Sequence, residues 1–183
     1  MMVVAGVVGG VVLLLASQTS AMIPGVEGPS FSLTAKTGQI STPEGNSIFM
    51  WGYANGGGLA QYIGPTLLVD QGDTVQVTLT NQLDVPVSIV FPGQAGVTSL
   101  AVSGDTAPGL LTLEALPGGV VRYRFVATNA GTYHYHSGTD PSLQIEMGLL
   151  GIAMSRYSGC WVGMKVITET VETTAEIDLT DEM

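Results

Sequence analysis

The stretch "DTVQVTLTN", Asp73 to Asn81, most narrows what this chain can fold into. Val75, Val77 and Leu79 alternate with Thr74, Gln76, Thr78 and Thr80, giving one apolar face and one polar face. Successive side chains on a strand point to opposite sides, so this pattern predicts a half-buried antiparallel strand. "VVRYRFV" repeats it, with Val121, Tyr123 and Phe125 inward and Arg122 and Arg124 in solvent. "PVSIVF" sets Val87, Ile89 and Phe91 on one face, and "SFSLTA" gives a shorter version upstream. "SIFMWGY", "TLLV" and "GLLGIAM" are apolar runs of strand length. "STPEGN", "NGGG", "QGDT", "LPGG" and "NAG" separate these runs with the chemistry of tight turns. No twelve-residue window ahead of the C-terminal tail carries a helical stripe. Seven or eight short strands so spaced predict an all-β, Greek-key β-sandwich. Strand order cannot be read from periodicity.

At 183 residues the chain suits one domain with a proper core. Five Lys plus Arg stand against fifteen Asp plus Glu, a formal net charge of −10. Nucleic acid needs clustered cations to displace counterions, and none cluster here, which argues against that partner. The same deficit argues against anionic lipid surfaces. The single cysteine, Cys160, precludes a disulfide within one chain and any Cys-rich zinc or iron–sulfur site. Its neighbours Gly159 and Trp161 supply no activating base or cation, so it reads as a bystander thiol.

Residues 1–21 read as a secretory signal peptide or, alternatively, an uncleaved N-terminal anchor. Their apolar run of roughly 16 residues is shorter than a bilayer-spanning helix and ends in Thr19-Ser20-Ala21. The expected location is therefore periplasmic or extracellular. Residues 157–183 form an irregular tail whose last part, "ITETVETTAEIDLTDEM", carries six acidic residues and no basic one. It reads as an edge strand, a frayed tail or a truncated linker.

The ordered set "GPTLLVDQGDTVQVTLTN", "GTYHYHSG" and "MGLLGIAM" resembles the N-terminal cupredoxin, or plastocyanin-like, domain of multicopper oxidases, over about residues 30–156. The resemblance implies a single cupredoxin-like sandwich and copper-dependent oxidoreductase chemistry in a complete protein. In that family the first domain gives two His-x-His pairs to a trinuclear copper cluster that a later domain completes. Residues i and i+2 of a strand share a face, so two imidazoles can serve one group of metals. The first pair falls in a His-Trp-His-Gly segment, which here reads Val90-Phe91-Pro92-Gly93. The second falls in His-Ser-His, which here reads His136-Ser137-Gly138. Only His136 keeps a ligand position. His134 stands where the family has a large aromatic or aliphatic residue. A type 1 copper site fares no better, since Ser137 takes its cysteine position.

His134 and His136 are the chain's only histidines, and three readings of them stay open. Both are ordinary strand residues without metal; or His136, the best candidate, is one copper ligand of a site completed by another chain or domain; or both form a small surface copper site with Met147 or Asp140. No catalytic residue is assigned. Ser137 next to His136 would face the other way on a strand, which argues against hydrolase chemistry. Asp70, Asp73 and Asp105 lie in Gly-rich turns and read as local hydrogen-bond partners. Met50-Trp51, Met147 and Met154 read as core filling. The chain alone is expected to be a non-catalytic or fragmentary structural domain, its partners further copies of itself or downstream cupredoxin domains. The alternatives are a small copper-binding module and a metal-free interaction domain.

Overall fold

The computed structural model describes residues 25–157. The expectations for residues 1–21, for Cys160 and for the acidic tail past Tyr157 lie outside them. The described chain runs β1 (Val26–Glu27), β2 (Ser30–Ser41), β3 (Ser47–Asn55), β4 (Leu67–Asp70), β5 (Thr74–Asn81), β6 (Thr98–Ser103), β7 (Thr106–Pro108), β8 (Leu113–Ala115), β9 (Val120–Val126), β10 (Gly131–His136), α1 (Pro141–Gln144) and β11 (Leu150–Arg156). Two sheets form the sandwich, in the orders β3-β2-β5-β9-β6 and β1-β4-β11-β10, and β7-β8 is a separate ribbon.

The alternating strand at Thr74–Asn81, β5, lies at the centre of the larger sheet. Its antiparallel partner is β9, running from Thr74↔Val126 to Thr80↔Val120. On its other side it pairs in parallel with β2, from Ser30↔Gln76 to Ala35↔Asn81. The antiparallel expectation therefore holds for one neighbour only. Alternation reports which face is buried, not the direction of the neighbouring chain.

Burial follows the alternation closely. Val75, Val77, Leu79, Val121, Tyr123 and Phe125 are all buried, and with Leu33 and Tyr53 they face Leu67, Val69 and Tyr135 of the smaller sheet. Arg124 is exposed, but Arg122 is half-buried because it lies between Thr78 of β5 and Leu100 of β6. The expectation of a solvated Arg122 is corrected accordingly. Met50 is in the core, whereas Trp51, Met147 and Met154 are only half-buried. The turn aspartate Asp73 accepts from the backbone N–H of Asp70 at 2.9 Å, as its Gly-rich setting predicts. Asp70 and Glu27 both bind Arg156, at 3.0 and 2.8 Å, tying β1, β4 and β11 together at one end.

The segment 86–91 departs from expectation in an instructive way. Val87, Ile89 and Phe91 are buried as the period predicts, yet the segment belongs to neither sheet. It makes isolated bridges, Val87 to Ala115 and Val90 to His136, and so crosses from the β7-β8 ribbon to the smaller sheet. Side chains replace the missing ladder. The Ile89 N–H donates to the Tyr123 hydroxyl at 3.2 Å, and the Tyr53 hydroxyl donates to the Ser88 carbonyl at 3.1 Å. Buried backbone groups need partners, and two core tyrosines provide them.

Tyr53, Tyr123 and Tyr135 are buried phenols, each with a carbonyl to donate to: Ser88, Leu113 and Pro65. Burial pushes all three up from their ordinary value of 10.0. For Tyr53 the neighbouring Tyr135 and Tyr123 add to the effect; for Tyr123 the Ile89 N–H opposes it and Glu114 adds to it. The folded chain therefore keeps protons that the unfolded chain releases. Stability is intact below pH 10.0 and is lost as pH climbs above it. Urea unfolding is expected to weaken by up to about 1.4 kcal/mol per pH unit for each tyrosine in that range. A profile that stays flat there would mean the phenols ionise in place.

Candidate functional site

The site is built on β10. Tyr135 points into the core and is fully buried, so its neighbours His134 and His136 point outward together. The two imidazoles lie 5.4 Å apart between ring centres, with planes only 13° from parallel. His134 is exposed and His136 half-buried. The backbone beneath them is fixed on both sides. β11 pairs His134 with Ile152 and His136 with Leu150. On the other edge His136 and Val90 exchange both backbone hydrogen bonds, at 2.9 and 3.2 Å. The His136 Nδ1 lies 2.8 Å from the Ser137 carbonyl oxygen. A carbonyl can only accept, so that bond places the proton on Nδ1 and leaves the Nε2 lone pair free.

Ser137 faces the other way, as a strand residue next to His136 must. Its buried hydroxyl donates to the Gln144 Oε1, and the Gln144 Nε2 donates to the Pro86 carbonyl at 2.9 Å. The Thr139 hydroxyl donates to the Ser88 hydroxyl at 3.0 Å. These contacts join the end of β10, the segment 86–91 and the short helix α1 into one polar network. Sequence reasoning missed Gln144. The signal was available, since Asp140 followed by Pro141 is a helix start. Asp140 caps α1 through Oδ1, accepting from the Leu143 N–H at 3.2 Å and the Ser142 hydroxyl at 2.8 Å. Met147 lies just after the helix, its carbonyl accepting from the Trp51 N–H at 2.9 Å.

The positions matched to the family's two ligand pairs converge. Val90 is bridged to His136, and a Cβ placed on Gly138 would lie 2.7 Å from Val90 Cγ1 and 3.2 Å from Ser88 Oγ. A side chain at position 138 would need the Val90 side chain to shift, since real Cβ atoms do not pack that close. Pro92 follows in the wall of an apolar groove of about 470 Å³, formed by Val90, Phe91, Pro92, Val97, Leu111 and His136. The groove thus brings one imidazole into a mainly apolar place, with Thr112 as the other polar residue of its wall.

Comparison with known proteins decides the family. The multicopper oxidase family model matches residues 35–156, two thirds of the chain. The chain belongs to the multicopper oxidases. It is 36% identical over 127 residues to the iron transport multicopper oxidase FET3 of Saccharomyces cerevisiae, covering 62% of this chain and 19% of that protein. It is 33% identical over 127 residues to a copper resistance protein A homolog of Pseudomonas syringae pv. tomato, covering 69% and 20%. This multicopper oxidase chain therefore spans about a fifth of the length of those relatives. Among solved structures it resembles a multicopper oxidase from Pseudomonas thermotolerans, with TM-score 0.59 and 28% identity over 73% of this chain and 30% of that one. It also resembles the copper nitrite reductase of Nitrosomonas europaea, with TM-score 0.55 and 26% identity over 71% and 42%. The all-β cupredoxin sandwich is thus shared with copper oxidoreductases.

The residues present do not fit the family's copper cluster. Val90, Pro92 and Gly138 carry no donor atom on their side chains, so His136 is alone at the four ligand positions. Among the described residues no group of three or more His, Cys, Asp or Glu side chains could hold a metal ion. Asp140 uses its Oδ1 to cap the helix.

Proposed function

We propose that this domain is a non-catalytic, structural member of a copper-dependent oxidoreductase. It supplies one wall of a larger assembly, either a longer multidomain protein or an oligomer of this chain. The observation that supports it is the convergence of Val90, Gly138 and His136, with valine and glycine standing where the resemblance expects two of the ligands. The rim supports an assembled state. Leu111 at the groove is 58% exposed, its neighbour Leu110 is 92% exposed, and the edge strand β6 bares Leu100 and Val102. Large apolar side chains left this exposed suit contact with another protein surface. A second cupredoxin domain is the partner that suits this reading. Residues 1–21 support placing the assembly outside the cytoplasm.

The test is copper loading of the purified chain followed by spin counting and oxygen uptake. The expected result is no antiferromagnetically coupled copper and no turnover of phenols, ferrous iron or cuprous copper. Turnover by the isolated chain that disappears in His136→Ala would overturn the reading.

A further inference from the structure

We infer that His134 and His136 form a mononuclear surface site for a divalent transition metal, out of register with the family's ligand pairs. This goes beyond the structural reading above and does not depend on it. Four observations carry it. The two rings share the outer face of β10 and are nearly parallel, 5.4 Å apart. A metal bonded to imidazole nitrogen at about 2.0–2.1 Å sits roughly 3.2 Å from the ring centre, so two centres sharing one ion can stand up to roughly 6.4 Å apart. The observed spacing lies inside that reach, and with His136 held in place, rotation of the exposed His134 side chain is what brings the second nitrogen to the same ion.

The second observation is the Ser137 carbonyl, 2.8 Å from His136 Nδ1. A ligating histidine that donates its other ring N–H to a fixed oxygen has its tautomer and orientation set in advance. That oxygen is itself held, because Ser137 is buried, its N–H donates to the Leu149 carbonyl at 3.0 Å, and its hydroxyl binds Gln144. Third, the strand under the pair is clamped by β11 on one edge and Val90 on the other, so little entropy is lost on closing a chelate. Fourth, the residues directly across β11 are Leu150 and Ile152, and neither is a cation that would repel a metal.

Two imidazoles leave the remaining coordination positions to water, which makes the site exchangeable. With nitrogen and oxygen donors the divalent order places Cu(II) above Zn(II) and Ni(II). The site therefore takes Cu(II) first.

Isothermal titration of the full chain with Cu(II), then Zn(II), tests this, with electron paramagnetic resonance of the copper form. One Cu(II) per chain is expected, bound more tightly than Zn(II), with hyperfine structure from two imidazole nitrogens. His134→Ala removes an exposed side chain, and circular dichroism reports whether the fold is kept. It should weaken Cu(II) by about tenfold or more, the loss of the second ligand of a chelate, and leave one nitrogen in the spectrum. Affinity unchanged in His134→Ala would overturn the proposal, including the case in which His136→Ala alone abolishes binding. A spectrum without imidazole nitrogen would overturn it equally. Copper that is spin-silent and coupled would instead contradict the structural reading of the previous subsection, so the two can fail separately.

Discussion

Replacing Phe91 by alanine is expected to cost the domain about 3–5 kcal/mol, near the top of the range for any single substitution. Phe91 lies on the crossing segment between the two sheets and is 5% exposed. Its ring stands 4.9 Å from Phe125 and 6.1 Å from Tyr123 of the larger sheet, and 6.1 Å from Tyr135 of the smaller one. Truncation removes these contacts and leaves a void that the two sheets cannot close, because β9 and β10 are each held in register by their own ladders. Phe91→Leu keeps most of the apolar volume and should cost only about 1–2 kcal/mol. Leu110→Ala, at a side chain 92% exposed, is the control and should change stability by less than about 0.5 kcal/mol. Denaturant unfolding of the three variants measures the ladder. If Phe91→Ala fell as close to wild type as Leu110→Ala, the segment 86–91 would not be the wedge between the sheets.

The same segment shows what a sequence can disclose. Period-two alternation at 73–81, 86–91 and 120–126 identified inward residues correctly in all three places, since alternation is a statement about burial. It did not reveal that 86–91 hangs between sheets by two bridges and two tyrosine hydroxyls, because those partners lie far along the chain. The edge strand β6, "TSLAVS", is exposed at every position, so it has no alternation in burial to read. The helix α1 spans four residues, too few for a helical stripe, and only its cap announced it. At the site, the rule that i and i+2 share a face placed His134 and His136 together, and the near-parallel rings agree with it. The close packing over Gly138 was not legible. It depends on Val90 and Ser88, which are remote in sequence and adjacent only after folding.

Asn81 ends the strand that first betrayed the fold, and its substitution is expected to have the other large effect. The side chain is fully buried. Its Nδ2 donates to the carbonyls of Val85 and Ala115, each at 2.8 Å, and its Oδ1 accepts from the Leu83 N–H at 2.9 Å. One carboxamide thus fastens β5, the following turn and β8, a task that needs two donors and an acceptor in one short side chain. Asn81→Ala strands the Val85 carbonyl and the Leu83 N–H, while the Ala115 carbonyl keeps the Val87 N–H at 3.0 Å. Each buried unsatisfied group costs about 1–3 kcal/mol, so a loss of about 2–5 kcal/mol is expected. Asn81→Asp separates hydrogen bonding from simple volume. It keeps the acceptor for Leu83 but turns a carboxylate oxygen toward two carbonyls, which disfavours the charged form in the folded state and raises its pKa above the unfolded value of about 3.9. The penalty is full above the folded pKa and shrinks as pH falls through it, because the protonated acid can donate to one carbonyl again. Stability of Asn81→Asp relative to wild type should therefore improve on acidification, while that of Asn81→Ala should not follow pH. If the two variants tracked each other across that range, the contribution of Asn81 would be packing and not the two hydrogen bonds its amide donates.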